Sequence, residues 1–422
     1  MIADLTFDRP AQDSLAAVEA RPAIWQERLH AWCAINTGSR NDAGLSRFLG
    51  ELESAFSALP GRMARRSLAA EQVVGNDGRV QDLALGEALH IAVRPDAPIK
   101  LVMTGHYDTV FPKESHFQSL TDLGDGRLNG PGVADMKGGI LILLEALKAF
   151  ETLPCAAAIG YDILLSPDEE IGSPGSGPIL AQLGAKADVG LTYEPALADG
   201  SLAGARKGSG NYALTIHGRA AHVGRAHSDG RSAIAAAARF VTELEALNGC
   251  REGVTFNTGR IDGGGPTNVV PDLAIVRYNV RAPDAAGQSW ADSQIAALIE
   301  ALVAKDGLHA HSHGGFTRPP KPRTPAQELV LAQVAAAGRA VGLHLNYKDT
   351  GGVCEGNNLA ASGCANVDTL GPCGGLIHSD QEFVILSSFP ERVRLSLAIL
   401  IGYATGQLDA KAPRKLIKDN VC

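Results

Sequence analysis

The chain lacks a long apolar run, a basic cluster and a recognisable export signal. No stretch reaches the roughly 18 consecutive apolar residues that a membrane-spanning helix requires, so an integral membrane protein is not expected. Lys and Arg are scattered, and the formal net charge is -8. Because nucleic acids and anionic membranes attract positive patches, neither is an expected partner. The N-terminal segment MIADLTFDRPAQ has no basic region and no apolar core, and we therefore expect no signal peptide.

Paired cysteine motifs are also missing. Seven cysteines are spread along the chain without any CxxC, at Cys33, Cys155, Cys250, Cys354, Cys364, Cys373 and Cys422. An odd number at wide spacing favours reduced thiols over a disulfide framework, and so favours a cytoplasmic location. The last three internal cysteines lie closer together, but their spacing does not match that of a zinc knuckle.

The composition is that of a globular protein. Hydrophobic residues make up 45% of the sequence and charged residues 20%. Because 422 residues are too many for one ordinary hydrophobic core, we expect two domains.

Apolar strand-like runs alternate with helical patterns through the first half of the chain. A helical pattern runs from about Ser14 to Trp32. The strand-like runs are LHIAV (89–93), LVMTGH (101–106), AIGYDILLS (158–166) and DVGLTY (188–193), and the helix MKGGILILLEALKAF (136–150) lies among them. This alternation predicts βαβ units and an α/β fold with a mostly parallel sheet, whose strands are apolar because helices cover both faces.

The pattern changes near residue 207. Strands around NYALTIHG, VTFNTGRI, LAIVRYNVR and HAHSHGGF and helices near 230–247 and 290–304 follow in the order β-α-β-β-α-β. That order predicts a ferredoxin-like α+β domain. The proline-rich segment RPPKPRTP (318–325) then reads as a linker. We therefore expect a larger domain formed by residues 1–206 and 319–422, with a smaller domain inserted at 207–318.

Histidines and carboxylates follow the predicted strands. They are His106 and Asp108 after the second run, Asp135 in the loop NGPGVAD, Glu169 and Glu170 after AIGYDILLS, Glu194 after DVGLTY, and His378 in GPCGGLIHSD. Because ligands of an open parallel sheet bind beyond the carboxyl ends of its strands, we expect these side chains to converge.

A pair of divalent metal ions explains such a set. Zinc binds imidazole nitrogen and carboxylate oxygen, and two metals roughly 3.5–4 Å apart can share a bridging carboxylate and a bridging hydroxide. The adjacent Glu169 and Glu170 then divide the work, one as a metal ligand and the other as the general base. The alternative for this pair is a solvated turn, which Pro167 and Gly172 would favour.

Five segments together resemble the motifs of the M20 metallopeptidases. They are GHYDTV, NGPGVADMKGG, SPDEEIGSPGS, YEPA and GLIHSD. The resemblance covers nearly the whole chain and is nearest to the glutamate carboxypeptidases, with aminoacylases and acetylornithine or succinyl-diaminopimelate deacylases as relatives. It implies a zinc-peptidase domain with an inserted lid and dimerisation domain, and hence a homodimer.

The resemblance implies two Zn²⁺ ions per chain, with Co²⁺ or Mn²⁺ as substitutes. The implied ligands are Asp135 as the bridge, Glu170 and His378 at one ion, and His106 and Glu194 at the other. It also implies a cis peptide bond between Asp135 and Met136.

The same resemblance assigns catalytic and substrate-binding residues. Glu169 is the implied general base, and Asp108 orients a metal-binding imidazole. In the inserted domain, His222 of GRAAHVG reaches an active site, often that of the partner subunit, and polarises the scissile carbonyl. Asn268 of GGPTNVVP and Arg281 of YNVRAPD hold a substrate carboxylate, a task that suits the planar guanidinium of arginine.

The segment TGGVCEGNN departs from the family pattern. Gly351 and Gly352 match the family's substrate-binding glycines, but Cys354 and Glu355 stand at variable positions before the last metal-binding histidine. Since this loop borders the substrate pocket in the family, the resemblance says least about specificity.

These observations predict a dinuclear zinc hydrolase that cleaves an amide bond next to a free carboxylate in a small N-acyl amino acid or dipeptide-like molecule. One alternative is a deacetylase or aminoacylase of the same family. Another is a catalytically inactive amino-acid-binding protein, which would have no need of Glu169. The glycines of NGPGVADMKGG fit neither GxGxxG nor GxxxxGK[ST], so they indicate a nucleotide site only weakly.

Overall fold

The computed structural model describes residues 2–19 and 22–419. Three sets of elements follow one another along the chain, and the first set ends at residue 206. Its helices are α1 (Arg9–Val18), α2 (Pro22–Cys33), α3 (Asp42–Phe56), α4 (Lys137–Phe150) and α5 (Gly177–Gly184). Its strands are β1 (Arg62–Arg66), β2 (Glu71–Val74), β3 (Val80–Leu83), β4 (Ala88–Val93), β5 (Ile99–His106), β6 (Thr121–Asp122), β7 (Arg127–Asn129), β8 (Ile159–Ser166), β9 (Val189–Thr192) and β10 (Leu202–Arg206).

The second and third sets complete the chain. The second contains β11 (Gly208–His217), α6 (Val223–Ala226), α7 (Ala233–Glu245), β12 (Thr255–Gly263), β13 (Leu273–Ala282), α8 (Ala285–Asp306) and β14 (His309–Arg318). The third contains α9 (Pro325–Ala340), β15 (Tyr347–Thr350), α10 (Glu355–Ala361), β16 (Asn366–Val367), β17 (Gly374–Gly375), β18 (Phe383–Ile385), α11 (Ser388–Ala404) and α12 (Ala412–Asp419). Short 3-10 helices lie at Pro154–Ala158 and His227–Asp229.

A six-stranded sheet forms the centre of the larger body. Its order is β1-β4-β8-β5-β9-β16. The pairs β8–β5, β5–β9 and β9–β16 are parallel, whereas the pairs β1–β4 and β4–β8 at one edge are antiparallel. The predicted mostly parallel sheet is therefore confirmed. In register, His106 of β5 lies opposite Ser166 of β8, so both strands end at the same edge of the sheet.

Helix α4 is buried along almost its whole length because most of its residues are apolar. Its first turn contains Gly138 and Gly139, and the second of these allows a close approach. A Cβ atom at Gly139 would lie 1.9 Å from the carbonyl oxygen of Tyr193, just past the end of β9. Only glycine lets the first turn of α4 lie against the strand end that Glu194 follows.

The second set of elements forms its own antiparallel sheet, in the order β12-β13-β11-β14. Apolar residues of α7 and α8 and of the sheet form a separate buried cluster that runs from Tyr212 to Leu308. The order of strands and helices is the predicted ferredoxin-like one. We propose residues 207–318 as the inserted domain; Ser209 and Arg318, near its two ends, lie opposite each other in the adjacent strands β11 and β14.

Several short elements carry no recognisable sequence pattern, and one segment differs from its prediction. The hairpin β2–β3, the pair β10–β15 and the four-stranded sheet β17-β18-β7-β6 were not predicted. The single helical pattern predicted from Ser14 to Trp32 corresponds to two helices, α1 before residues 20–21 and α2 after them. Residues 20–21 themselves lie outside the described part of the chain. The expected linker 318–325 is not a free connection, because Arg318 and Lys321 are buried and Lys321 pairs with Arg206 through its backbone.

None of the helices in the described ranges combines the length and apolar character that a bilayer crossing requires. The six cysteines within these ranges are free thiols, and Cys422 lies outside them.

Candidate metal centre and active site

A first cluster of candidate ligands lies at the carboxyl edge of the central sheet. His106 is the last residue of β5 and is fully buried. Its Nε2 lies 3.0 Å from Oδ1 of Asp135 and 3.6 Å from Oε1 of Glu194. Its Nδ1 lies 3.1 Å from the backbone oxygen of Asp108 and 3.3 Å from Oδ1 of the same residue. Asp108 therefore fixes the imidazole so that Nε2 faces the two carboxylates.

A second cluster shares Asp135 with the first. Nε2 of His378 lies 3.2 Å from Oδ2 of Asp135 and 3.2 Å from Oε2 of Glu170. The two oxygens of Asp135 thus face different clusters, as a bridging carboxylate requires. The peptide bond between Asp135 and Met136 is cis, as the resemblance implied.

Two of these ligands do not come from the ends of the central strands; this was expected for Asp135, which the sequence places in a loop, but not for His378. Asp135 lies in the turn before α4, and His378 follows β17 of the separate four-stranded sheet. Glu382 joins these two segments, since its Oε1 accepts hydrogen bonds from the backbone N–H groups of Ala134 (2.9 Å) and Asp135 (3.0 Å), and its Oε2 accepts one from Gly132 (3.1 Å). One loop therefore carries a candidate ligand and holds the bridging one.

The residues of both clusters fit two divalent metal ions. In each cluster the ligand atoms lie within 4.8 Å of one another, and Oε1 of the buried Glu194 has no hydrogen-bond partner among the described residues. Burial raises the pKa of Glu170 and Glu194 to about 8. Burial also opposes ionisation of Asp135, but hydrogen bonds from His106 and His378 outweigh it and lower the pKa of this carboxyl. Imidazole nitrogens and carboxylate oxygens are a donor set that zinc prefers, and its charge would offset the carboxylates.

Glu169 has a different set of partners from its neighbour. Its Oε2 lies 4.0 Å from Nε2 of His106, beside the clusters. Its Oε1 accepts a hydrogen bond of 2.6 Å from Nη2 of Arg318, whose Nη1 donates to Oδ1 of Asn358 at 2.5 Å. Arg318 is only 1% exposed, so Glu169 is paired with the positive charge of a buried arginine. The sequence pattern predicts a linker that starts at Arg318, and no local pattern indicates a role for this residue in the site.

The turn that carries both glutamates is held by Asp108. The backbone N–H groups of Glu169 and Glu170 donate to the two oxygens of Asp108, each at 3.2 Å, and the hydroxyl of Ser39 donates at 2.7 Å. Glu169 is 9% exposed, and the side chain of Glu170 is 5% exposed. The solvated-turn alternative does not agree with this burial.

A cavity of about 760 Å³ lies between these clusters and the open face of the inserted sheet. Arg281 lines it from β13, donating to Oδ1 of Asn279 at 2.9 Å and to the backbone oxygen of Gly351 at 3.4 Å. Gly352 also lines the cavity. The structure therefore brings Arg281 and the glycine loop to the same space as the candidate metal centre.

His222 and Asn268 are not among the residues that line this cavity. His222 is exposed and caps the short helix α6, accepting a hydrogen bond from the N–H of Gly224 at 3.1 Å. The N–H of Val223 donates to the oxygen of Asn268 at 3.0 Å, so the two predicted residues lie together on the inserted domain. His217 and His227 of the inserted domain are also exposed.

The variable positions of TGGVCEGNN face the interior. Cys354 and Glu355 are at most 1% exposed at the start of α10. Oε1 of Glu355 accepts a hydrogen bond of 2.5 Å from the hydroxyl of Ser166, and burial raises the pKa of Glu355 to about 7. Of this segment, Thr350, Gly352 and Val353 line the cavity, whereas Cys354 and Glu355 do not.

The chain is similar to known hydrolases over most of its length. Two relatives by sequence are carboxypeptidase G2 of Pseudomonas sp. strain RS-16, 26% identical over 93% of this chain and 92% of the relative, and succinyl-diaminopimelate desuccinylase of Bordetella petrii, 29% identical over 82% and 94%.

Solved structures agree in fold. A tripeptidase from Staphylococcus aureus superposes with a TM-score of 0.69 at 21% identity, covering 90% of this chain and 98% of that one. An M20 family metallo-carboxypeptidase from Sulfolobus solfataricus superposes with a TM-score of 0.67 at 15% identity, covering 90% and 99%.

The sequence model of peptidase family M20/M25/M40 matches residues 102–401, which contain both ligand clusters and the whole inserted sheet. This chain therefore belongs to peptidase family M20/M25/M40 and is a metal-dependent hydrolase.

Proposed function

We propose that the protein is a dinuclear zinc hydrolase that cleaves an amide bond next to a free carboxylate in a small N-acyl amino acid or dipeptide-like substrate. The observation that carries this proposal is the pair of histidine–carboxylate clusters that share Asp135, with Glu169 beside them and Arg281 across the same cavity. Relatives named carboxypeptidase G2 and succinyl-diaminopimelate desuccinylase support this class of reaction.

The two clusters would hold the zinc ions, which supply a Lewis acid and water of lowered pKa. Glu169 takes a proton from the attacking water and returns it to the leaving amine. Arg318 holds Oε1 of Glu169, so that Oε2 faces the clusters as the proton acceptor. Asp108 holds the backbone of the glutamate turn and so fixes the position of this base.

Residues of the inserted domain would hold the substrate. Arg281 binds the free carboxylate through its guanidinium, with the backbone of Gly351 and Gly352 beside it. His222 of a partner subunit, together with Asn268, would reach the scissile carbonyl and stabilise its developing negative charge. The exposure of His222 outside the cavity of its own chain supports a homodimer joined through the inserted domain.

Two other functions remain as alternatives. A deacetylase or aminoacylase of the same family would use the same centre but bind a small acyl group and a large amino acid. A catalytically inactive amino-acid-binding protein is less well supported, because a binder needs no base such as Glu169. We propose a cytoplasmic location, which the free thiols of the described cysteines support.

Metal content tests the proposal first. The protein is purified without chelator, and zinc per chain is measured in the wild type, in Asp135→Ala and in Asp125→Ala, a control at an exposed aspartate. We expect about two zinc ions per chain in the wild type and the control, and a sharp fall in Asp135→Ala, because that substitution removes the shared ligand. A wild-type protein that binds no metal even after zinc is supplied would contradict the proposal.

Turnover of N-acyl amino acids then separates the alternatives. Zinc-loaded protein that hydrolyses none of a broad panel, while binding amino acids tightly, would favour the binding-protein alternative. Hydrolysis of N-acetyl but not of bulkier N-acyl or dipeptide substrates would favour the deacetylase.

A further inference from the structure

A buried cluster of charges lies behind the wall of the cavity. Nε of Arg206 donates to Oδ2 of Asp368 at 2.8 Å, and Nζ of Lys321 donates to the same oxygen at 2.6 Å. Arg206 is 8% exposed, Lys321 1% and Asp368 0%. Two cations therefore share one carboxylate, and the cluster keeps one uncompensated positive charge.

The outer side of the Arg206 guanidinium faces the cavity. Arg206 is among the residues that line it, and a Cβ atom at Gly352 would lie 3.6 Å from its Nη1. No acceptor in the described ranges bonds to its Nη groups; Nε alone is engaged, by Asp368. The backbone of Arg206 is fixed by mutual hydrogen bonds with Lys321. The guanidinium is therefore held from behind while its outer N–H groups are free to bind a carboxylate.

The other basic side chains that line the cavity differ in how they are paired. Arg318 is paired with Glu169, and Lys348 with Asp199 at 2.5 Å. Arg281 donates only to neutral oxygens, those of Asn279 and Gly351. Arg281 thus has no anionic partner among the described residues, and Arg206 shares its one carboxylate with Lys321. The two guanidinium groups lie against the consecutive residues Gly351 and Gly352.

A substrate with one carboxylate satisfies only one of these two groups. Metal ions would offset the carboxylates of the ligand clusters, so those carboxylates would not compensate Arg206. A buried and uncompensated positive charge is unfavourable, and an anion that enters the cavity removes that cost.

We propose that Arg206 is a specificity-determining residue that binds a second carboxylate of the substrate, with Asp368 and Lys321 as its positioning residues. This inference rests on the proposed function, because it concerns the substrate of the same site. The second carboxylate belongs either to the leaving amino acid, as in an N-acyl derivative of an acidic amino acid, or to the acyl group, as in an N-succinyl amino acid. Both sources present the same chemistry to the guanidinium.

Equilibrium binding tests the proposal without relying on turnover. Calorimetry on zinc-loaded, full-length protein compares L-glutamate with L-glutamine, and succinate with succinamate. Within each pair, the second ligand carries an amide where the first carries its second carboxylate. The carboxylate that both ligands share can bind metal equally in the two, so this contribution cancels when their affinities are compared. We expect the wild type to bind the dicarboxylate of one pair about tenfold more tightly or better, and Arg206→Gln to lose this preference. A preference in the first pair identifies the leaving amino acid as the source, and one in the second identifies the acyl group.

Folding of the variant is controlled separately. In Arg206→Gln, Lys321 still pairs with Asp368, so no buried carboxylate is left alone, and thermal unfolding checks this. Arg323→Gln is a matched control, because Arg323 pairs with Asp349 and Glu328 and does not line the cavity. We expect this control to keep the wild-type preference.

The outcomes distinguish this inference from the proposed function. Equal binding within both pairs, or a preference that survives in folded Arg206→Gln, overturns the role of Arg206 even if N-acyl amino acids are hydrolysed. A preference that Arg206→Gln abolishes, in a protein that hydrolyses no amide, supports the role of Arg206 and overturns the proposed hydrolase.

Discussion

At the scale of single residues, Glu169 and Glu170 are neighbours in sequence with separate surroundings. Glu170 faces His378 and the shared Asp135, while Glu169 is paired with Arg318 and faces His106. Two adjacent carboxylates can be buried here because each has its own positively charged or potentially charged partner. The difference in partners is the physical basis for assigning them different roles.

Substituting each glutamate separately tests this division. We expect Glu169→Gln to retain about two zinc ions per chain and to lose roughly 10²–10⁴ in kcat, because the amide keeps an oxygen for Arg318 but cannot accept the proton. Glu170→Gln should instead lower the zinc content toward about one ion per chain, since it weakens a ligand. Elemental analysis and steady-state kinetics on both variants give the answer. Loss of metal in Glu169→Gln would contradict its role as a base that does not bind metal. Full retention of metal and activity in Glu170→Gln would contradict the role of Glu170 as a metal ligand.

The sequence revealed some of these residues and not others, for a physical reason. His106, Glu169 and Glu194 follow strong apolar strands, so strand position alone predicted that they would meet. Arg318 and Glu382 act on partners 149 and 247 residues away. A long-range partner leaves no local period or spacing, so composition and pattern could not indicate them.

At the scale of elements, the segment from β17 to β18 serves the candidate metal centre twice. It carries His378, and through Glu382 it accepts three backbone hydrogen bonds from the turn that contains Asp135. A carboxylate suits this position because both of its oxygens are acceptors, and all of the groups facing it are donors. The spacing between two ligands of the second cluster is thereby set by one short segment.

Replacing Glu382 tests this mechanical connection. In Glu382→Gln an NH₂ group would face a backbone N–H, so the turn with Asp135 should loosen. We expect zinc affinity to fall by roughly 10–100-fold, the range typical of residues that support metal ligands. Zinc competition with a chromophoric chelator measures the change, and circular dichroism checks the fold. The exposed Glu391→Gln serves as control and should match the wild type. Unchanged zinc affinity in folded Glu382→Gln would show that the turn holds its shape without this carboxylate.

Long elements were predictable from sequence and very short ones were not. Helix α4 and strands β5 and β8 have 14, 8 and 8 residues, enough for an apolar run to be unambiguous. Strands β6, β7, β17 and β18 have two or three residues each and exist only because distant segments pair. No hydrophobic period can develop over so few residues.

At the scale of the whole molecule, the cavity is assembled from both parts of the chain. The candidate metal centre lies on the larger body, while Arg281 reaches the cavity from the inserted sheet. His222 lies on the same inserted segment but is exposed and outside this cavity. Under the proposed function, His222 of a second copy would therefore complete the site.

Subunit mixing tests whether His222 acts between chains. We expect His222→Ala and Glu169→Gln to be nearly inactive alone. If they are mixed under conditions that exchange subunits, random pairing in a two-fold dimer should restore about a quarter of the wild-type activity, because half of the dimers hold one intact site. Size-exclusion chromatography with light scattering establishes the dimer beforehand. His217→Ala is the control and should be active alone. Mixtures that stay inactive despite exchange would place the action of His222 within its own chain or remove it from catalysis.

The two ends of the inserted segment lie next to each other, since Ser209 of β11 pairs with Arg318 of β14. The inserted segment of more than a hundred residues therefore leaves and re-enters the larger body at neighbouring positions, as a short surface loop would. Such a geometry lets a segment be lengthened, replaced or lost during evolution while the metal-binding body keeps its sheet and its core. Substitutions in the inserted segment can then accumulate independently of those around the candidate metal centre. Substrate preference could change through the inserted segment while the hydrolytic chemistry is retained.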